Sequence, residues 1–260
     1  MITANTGVGK SHWLVAMGCN AMRAGKNVLH YTFELTEHSV GLRYDSNLTG
    51  IPSNDIQDQK NTVLKKYKDM DLGRLIIKEY PTGSASSVTI RNHIEKLTLK
   101  GFTPSVIIID YADIMRSTKT YDSLRHELKL IYEELRNLAM DLNIPVWTAS
   151  QANRESARAE IVGLENMSEA YGKAMVADVV ISLSRKAMEK STGAGRLYVA
   201  KNRAGRDGLV FPIHIDTSKS TFEILDESVL SLDEAVKQTN SEMKDLLRKK
   251  WKEVNGKDED

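Results

Sequence analysis

Apolar runs alternate along the chain with amphipathic stretches, and this alternation predicts an order of strands and helices. The apolar runs predict five strands, at residues 28–33, 75–77, 106–109, 146–149 and 179–183. Three of them are almost continuously apolar, as expected for strands that are buried on both faces. Apolar positions at helical spacing predict helices between them, at residues 11–24, 36–48, 55–71, 87–100 and 123–142. This order predicts an α/β fold, a mostly parallel twisted sheet flanked by helices.

The pattern changes after residue 183. Short runs at residues 196–201, 210–215 and 221–225 are separated by Gly, Asp and Ser, and they predict antiparallel hairpins that complete the sheet. A charged stretch at 233–251 predicts a further helix, followed by a polar tail at 255–260 that we expect to fray. We therefore expect one domain over residues 1–226 and a C-terminal helix with its tail over 227–260.

A phosphate-binding loop opens the first predicted helix. It matches G-x-x-x-x-G-K-[ST] except for alanine at the first position, and its residues are Ala4, Asn5, Thr6, Gly7, Val8, Gly9, Lys10 and Ser11. Two glycines permit tight turns, and successive N–H groups at a helix start bind anions. Lys10 would reach the β and γ phosphates, and the Ser11 hydroxyl would bind Mg²⁺. The alternative is a glycine-rich turn capped by a serine.

Such a loop normally follows a central strand, yet only three residues precede it. Either the chain starts late, or another segment supplies that strand. We expect the first strand to be missing, through a truncated reading frame or an excised domain.

Three polar residues follow predicted strands at the edge where this loop lies. Asp110 ends a strand of four apolar residues, has the form of a Walker B acid and would hold Mg²⁺ through water, although any buried strand can end in an aspartate. Glu34 ends the strand at 28–33 and is the candidate general base, or else a surface acid at a helix start. Gln151 follows the strand at 146–149 and is a candidate γ-phosphate sensor, or a loop residue without a role.

Two cations, Lys201 and Arg203, lie at the end of the strand predicted at 196–201, the first as its last residue and the second two residues later. Residues two apart on an extended chain point to the same side. They would act as a lysine and an arginine finger on the nucleotide of a neighbouring subunit, or they are a solvated hairpin tip. Arg154, Arg158 and the segment 166–173 could contact a nucleic-acid backbone, although charged loops are usually only solvated.

The composition of the chain argues against several classes of protein and of site. Of the 260 residues, 41% are hydrophobic and 27% charged, which is ordinary for a globular protein. The net charge of +1 argues against a broad nucleic-acid footprint without excluding a local patch. No apolar run is long enough to predict a membrane span. A single cysteine, Cys19, excludes an internal disulfide and a cysteine zinc cluster.

The ordered motifs resemble those of the DnaB-type hexameric replicative helicases, with a RecA-like P-loop NTPase core, and the phage versions are the most similar. The resemblance covers roughly residues 2–225. The matching segments are Y-T-F-E-L-T at 31–36 with Arg43 beyond it, I-I-D-Y-A-D-I-M at 108–115, I-P-V at 144–146 leading to S-Q-A-N-R at 150–154, A-D at 177–178, and K-N-R-A-G at 201–205.

The resemblance implies ATP and Mg²⁺ as cofactors and 5′–3′ translocation on single-stranded DNA by a ring that hydrolyses ATP at its subunit interfaces. It implies that Lys10 and Ser11 bind phosphates and Mg²⁺, that Glu34 is the catalytic glutamate, Asp110 the Walker B acid and Gln151 the sensor, and that Lys201 and Arg203 act in trans. It also implies a hexamer, primase and loader as partners, no membrane, and a cytoplasmic location, in the host if the chain is phage-encoded. The chain departs from the family at Ser168 and Glu169, where the DNA loop usually carries an Arg-Glu pair.

Two other functions remain open at this stage. One is another RecA-core ATPase, such as a recombinase-like or KaiC-like protein. The other is a non-catalytic nucleotide-binding assembly subunit. The Glu34 segment and the Lys201/Arg203 hairpin favour the helicase over the first, and the complete set of catalytic residues disfavours the second.

Overall fold

The computed structural model describes residues 1–153, 161–164 and 171–225. Within these ranges the chain forms nine strands: β1 Ile2–Ala4, β2 Val28–Thr32, β3 Leu75–Glu79, β4 Val106–Asp110, β5 Val146–Gln151, β6 Val179–Ser184, β7 Ala194–Asn202, β8 Leu209–Asp216 and β9 Thr221–Ile224. The helices in the same ranges are α1 Lys10–Arg23, α2 Glu37–Thr49, α3 Lys60–Lys68, α4 Ser87–Leu99, α5 Leu124–Leu142 and α6 Tyr171–Val176. Two 3₁₀ turns, Ala112–Ile114 and Ala187–Ser191, follow β4 and β6.

All nine strands join one sheet in the order β3-β2-β4-β5-β1-β6-β7-β8-β9. The first six in chain order pair in parallel, and β7 to β9 continue the sheet as antiparallel neighbours. The predicted fold class, a mostly parallel sheet with antiparallel C-terminal hairpins, is therefore confirmed.

The expectation that the first strand is missing is wrong. β1 lies at the centre of the sheet, with Ile2 beside Ala149 of β5 and Ile181 of β6. Its three residues are fully buried. Because β1 has neighbours on both sides, even these three residues find backbone partners in the sheet. Three residues are too few to give a hydrophobic period, and the sequence pattern therefore does not reveal it.

Two apolar layers cover the two faces of the sheet. On one face, α1 and α2 bury residues such as Leu14 and Tyr44 against Ile108. On the other, α4 and α5 bury Ile90 and Leu135 against the opposite side of β2 and β4. β4 is buried along its whole length, as its continuous apolar sequence predicts.

Local capping sets the helix starts. The Thr36 side chain accepts a hydrogen bond from the Ser39 amide, which fixes the start of α2 directly after Glu34 and Leu35. The helix predicted over residues 55–71 is shorter, because residues 53–59 form turns and α3 begins at Lys60. The predicted helix at 233–251 and the division at residue 226 lie outside the described residues. In the part of the chain that the structure describes, no helix combines the length and the apolar character that crossing a bilayer requires.

Candidate nucleotide-binding site

The loop between β1 and α1 has the backbone that a phosphate-binding loop requires. Gly7 and Gly9 both have positive φ angles, 73° and 122°, which residues other than glycine rarely adopt. The Gly9 carbonyl accepts the first helical hydrogen bond, from Trp13 at 2.8 Å. The free N–H groups of the first turn of α1 therefore point toward the loop, where they can bind an anion.

The parallel strands deliver the predicted polar residues to the same edge of the sheet. Glu34 lies just beyond β2, Asp110 ends β4 and Gln151 ends β5. Together with the loop they surround a cleft of 340 Å³, whose lining residues are Thr6, Gly7, Gly9, Lys10, Ser11, His12, Glu34, Arg43, Asp110, Tyr111, Gln151 and Thr217. The structure thus brings together the predicted loop, base, acid and sensor at the carboxyl ends of the strands, where ligands of open α/β sheets bind.

Asp110 is the buried acid of the cleft. Burial raises the pKa of its carboxyl group from 3.8 to about 6, and the nearby negative charge of Glu34 adds to the rise. A hydrogen bond with Ser11, together with the positive charges of Arg43 and Lys10, opposes it. Among the described residues, the Asp110 Oδ1 atom is buried and without a hydrogen-bond partner. A carboxylate oxygen and a serine hydroxyl side by side are the ligands that Mg²⁺ takes in such loops, so these two residues fit a magnesium ion.

Two cations balance these acids. The Lys10 ammonium donates to the carbonyl oxygens of Ala4, at 3.0 Å, and Asn5, at 3.3 Å, so it lies folded over the loop. Burial lowers the pKa of Lys10, and the attraction of Asp110 and Glu34 opposes that effect. Arg43, from α2, interacts electrostatically with the same two acids. The cleft therefore combines a positive surface for phosphate with two carboxylates.

Gln151 is already connected to the loop. Its side-chain amide donates a hydrogen bond to the Thr6 hydroxyl, at 2.5 Å. A displacement of the phosphate loop would therefore move the tip of β5, which is the geometry expected of a sensor.

Lys201 and Arg203 lie elsewhere, near the amino ends of the parallel strands, whereas the cleft is at their carboxyl ends. Asn202 at the end of β7 lies beside Val179 at the start of β6, whereas Ala4 lies beside Leu183 near the end of β6. Four strand residues separate those two points, or about 13 Å at roughly 3.3 Å per residue. These two cations are therefore outside the cleft of their own chain.

One cation that the sequence suggests as a DNA contact is buried. Lys173 belongs to the segment 166–173, but its side chain is 3% exposed and pairs with Asp113 at 2.9 Å. The prediction of a DNA contact is wrong for this residue, because its ammonium group is buried in that ion pair. The local sequence around Lys173 does not reveal a partner 60 residues away in the chain. Arg154, Arg158, Ser168 and Glu169 lie outside the described residues.

Sequence reasoning also missed contributors to the cleft. Arg43 is part of a recognised motif but has no role assigned by the sequence, since its approach to both acids depends on the packing of α2. Thr217, from the turn after β8, and His12 have no sequence signal. His12 Nδ1 lies 2.8 Å from the Ser220 hydroxyl, which connects α1 to that same turn.

A glycine-bent loop between a central parallel strand and a helix, with acids at the tips of neighbouring strands, defines a P-loop nucleotide-binding protein. Comparison with known families makes the assignment specific. The chain belongs to the DnaB-like helicase C-terminal domain family, whose model matches residues 1–224. This membership favours a helicase over a recombinase-like or KaiC-like protein.

Individual relatives agree with the family. The chain is 32% identical over 194 residues to a DnaB-like replicative helicase of Enterobacteria phage T4, covering 70% of this chain and 41% of that protein. It is 25% identical over 193 residues to the replicative DNA helicase DnaB of Helicobacter pylori strain 26695, covering 71% and 39%. The chain thus spans about two fifths of the length of these curated relatives.

Two solved structures share the fold. One is a DnaB-like replicative helicase described with its interactions with primase, with a TM-score of 0.74 and 17% identity over 86% of this chain and 58% of that one. The other is a separate ATPase domain, also with a TM-score of 0.74, 18% identical over 86% of this chain and 84% of that one.

Proposed function

We propose that this chain is the ATP-hydrolysing motor of a replicative DNA helicase, which assembles as a ring and moves 5′–3′ along single-stranded DNA. The observation that supports this most directly is the cleft in which Lys10, Ser11, Glu34, Asp110 and Gln151 meet. A non-catalytic nucleotide-binding subunit would not need an acid able to act as a base beside its phosphate loop.

In this mechanism the loop amides and Lys10 bind the β and γ phosphates of ATP. Ser11 and Asp110 would hold Mg²⁺, which when bound neutralises charge on the phosphate oxygens. Glu34 accepts the proton of the water that attacks the γ-phosphorus. Its side chain is exposed to the cleft, where it can reach that water, and it lies close enough to Arg43 for the two charges to attract.

The second half of the mechanism acts between subunits. Lys201 and Arg203 are too far from the phosphate loop of their own chain, so we assign them to the nucleotide of a neighbour. Arg203 is held by Asp178, with Nη1 2.8 Å from Oδ1, and is still about half exposed. An arginine supplied in trans stabilises the charge of the transition state. This requires a head-to-tail interface between subunits, and we infer that six such interfaces close into a hexameric ring.

The proposal extends to partners and location. The relatives are replicative helicases, and one solved neighbour is described with primase, so we infer that primase and a helicase loader dock on the assembled ring. We place this activity in the cytoplasm, in the host if the chain is phage-encoded.

The test is ATP hydrolysis measured with and without single-stranded DNA, followed by unwinding of forks with a single 5′ or 3′ tail. We expect DNA to stimulate hydrolysis and only the 5′-tailed fork to be opened. Lys10→Ala is the matched inactive control, since it removes the ammonium group without touching the acids. Nucleotide binding without hydrolysis by the assembled wild-type protein would instead identify a non-catalytic subunit.

A further inference from the structure

The buried ion pair between Lys173 and Asp113 lies beside the candidate site and has no role in the mechanism above. Lys173 is in α6, and its Nζ atom lies 2.9 Å from the Asp113 carboxylate, with side-chain exposures of 3% and 14%. The ammonium group also lies 5.6 Å from the centre of the Tyr132 ring. A buried ion pair is often no more stabilising than apolar side chains of the same volume, because both charges lose their hydration. The pair does fix the geometry between the two elements that carry the charges.

Asp113 connects this pair to the phosphate cleft. It follows Asp110 by three residues, and its carboxylate accepts hydrogen bonds from the Tyr132 hydroxyl, at 2.7 Å, and the Ser150 hydroxyl, at 3.2 Å. Ser150 immediately precedes Gln151, whose amide bonds to Thr6 of the loop. Asp113 therefore lies in the turn that follows the Walker B strand and contacts the strand that ends in the sensor.

The other end of α6 holds the two finger residues. Lys201 Nζ donates to the carbonyl oxygens of Ala174, at 2.8 Å, and Met175, at 3.0 Å. Arg203 Nη2 donates to the same Met175 carbonyl, at 3.3 Å. These acceptors lie one and two residues after Lys173, so a single short helix contacts both the cleft network and the fingers.

We propose that the Lys173–Asp113 pair is a positioning link, which fixes α6 between the phosphate cleft and the Lys201/Arg203 pair. Movement of the phosphate loop passes through Gln151, Ser150 and Asp113 to Lys173, and the carbonyl groups of α6 then shift the finger residues that act on the neighbouring subunit. Neither Lys173 nor Asp113 is among the residues that line the phosphate cleft. This inference rests on the function proposed above.

The experiment replaces the ion pair by a neutral pair, Lys173→Met with Asp113→Asn, in the assembled full chain. Removing both charges avoids an uncompensated buried charge, and asparagine keeps an acceptor for Tyr132. The matched control is Arg91→Gln with Asp141→Asn, which removes an exposed ion pair between α4 and α5. The measurements are the urea midpoint, the KM for ATP and kcat.

We expect the neutral pair to unfold at nearly the wild-type midpoint and to keep its KM. Its kcat should fall roughly ten- to hundredfold, because a misplacement of about 1 Å in a reacting group costs up to about 10²-fold. The control should keep all three values, and Lys173→Arg alone should keep most of the wild-type kcat. A neutral pair with wild-type kcat would overturn the proposal.

A double-mutant cycle with Arg203→Lys then tests the path. If the pair acts through the fingers, adding the neutral pair to Arg203→Lys lowers kcat by clearly less than it does in the wild type. Losses that simply multiply would overturn the proposal, since they describe a structural role independent of the fingers. Should the neutral pair not fold, Ser150→Ala tests the same path in the same cycle with the same two outcomes.

The two proposals fail in distinguishable ways. An assembled wild-type protein that does not hydrolyse ATP would overturn the proposed function, and the positioning link with it. An active wild type that is impaired by Arg203→Lys but indifferent to the neutral pair would overturn the positioning link alone.

Discussion

At the scale of single residues, the two acids of the cleft, Asp110 and Glu34, have different environments. Asp110 is buried and its pKa is raised, while Glu34 is exposed at the end of β2. Two carboxylates in one site with different surroundings suit different tasks, one as a ligand and one as a base. The nearby Arg43 and Lys10 keep the pair from repelling phosphate.

Replacing Glu34 by glutamine tests this division of tasks. The amide keeps the shape of the side chain and loses the proton acceptor, so ATP binding should remain while kcat falls by about 10² to 10⁴. Glu37→Gln is the matched control, because Glu37 lies three residues on and bonds to the Glu79 amide instead of facing the cleft. Normal hydrolysis by Glu34→Gln would reduce Glu34 to an acid at a helix start.

His30 gives a stability prediction at the same scale. It is fully buried in β2, where Nδ1 lies 3.0 Å from the Tyr44 hydroxyl, and burial lowers its pKa from 6.5 to about 3. The unfolded chain binds a proton at pH 5.5 that the folded chain cannot, so stability falls as pH drops below about 6.5. Between about pH 7.5 and about pH 5.5, His30 should cost the folded state about 1.4 kcal/mol.

Urea unfolding at the two pH values measures this cost. His30→Gln stays neutral and can still bond to Tyr44, so it should lose less stability on acidification than the wild type. His12, whose pKa burial lowers to about 4, contributes in the same direction in both proteins and cancels in the comparison. Equal pH dependence would show that His30 is not the source.

At the scale of elements, the sequence predicts those strands and helices that have a hydrophobic period or a motif of their own. The strands at residues 28–33 and 106–109 are predicted within one residue at each end, because continuous apolar runs mark strands buried on both faces. Central β1 escapes prediction because three residues have no period. The contributions of Arg43, Thr217 and Lys173 depend on packing between distant segments, which a single sequence does not contain.

The hairpin of β8 and β9 is such a distant segment, and it braces the phosphate loop. Phe222 packs edge-on against Trp13 of α1 with ring centres 5.0 Å apart, and it lies next to Gly9. The carbonyl oxygen of Ser220, in the turn of the hairpin, accepts a hydrogen bond from the Asn47 amide of α2, at 2.6 Å. The hairpin therefore fixes the start of α1 from the side.

Phe222→Ala should loosen this contact. We expect a loss of about 1–3 kcal/mol in unfolding free energy, below the ~3–5 kcal/mol of a fully buried phenylalanine because Phe222 is only partly buried. The KM for ATP should rise with little change in kcat, since the acids and Gln151 are untouched. Phe211→Ala, on β8 and outside the cleft, is the control. An unchanged KM in Phe222→Ala would separate the hairpin from nucleotide binding.

At the scale of the whole molecule, a net charge of +1 restricts how DNA can bind. A net charge this close to zero argues against a broad positive footprint, so in the proposed ring we expect contacts to the DNA backbone to be local and to come from several subunits. We expect the ring to bind single strands with little sequence preference, and log K to fall linearly with log salt by about 0.7 per phosphate neutralised. Fluorescence anisotropy of a labelled oligonucleotide across a salt series measures this slope. A flat salt dependence would contradict backbone-directed binding.

The position of the finger residues makes the strongest prediction for the assembled protein. Lys201 and Arg203 lie near the amino ends of the parallel strands and the phosphate loop at their carboxyl ends, so in the proposed mechanism the fingers of one subunit act on the nucleotide of the next. A finger supplied in trans contributes roughly 10³ to 10⁵ in rate. Activity should therefore rise more steeply than linearly with protein concentration, and Arg203→Ala should bind ATP, still associate and fail to hydrolyse.

Mixing two inactive variants tests this arrangement directly. In a ring of Arg203→Ala and Lys10→Ala subunits, the first variant keeps an intact phosphate loop and the second an intact finger. About a quarter of the interfaces in a random equimolar ring then combine both intact halves, because each head-to-tail interface takes its loop from one subunit and its finger from the next. Activity should return in the mixture and be absent from either variant alone.

A double variant carrying both substitutions, mixed with wild type in the same ratio, controls for dilution. If the two variants co-assemble and the mixture stays inactive, or if a dilute monomer hydrolyses ATP at the full rate, Arg203 does not act in trans.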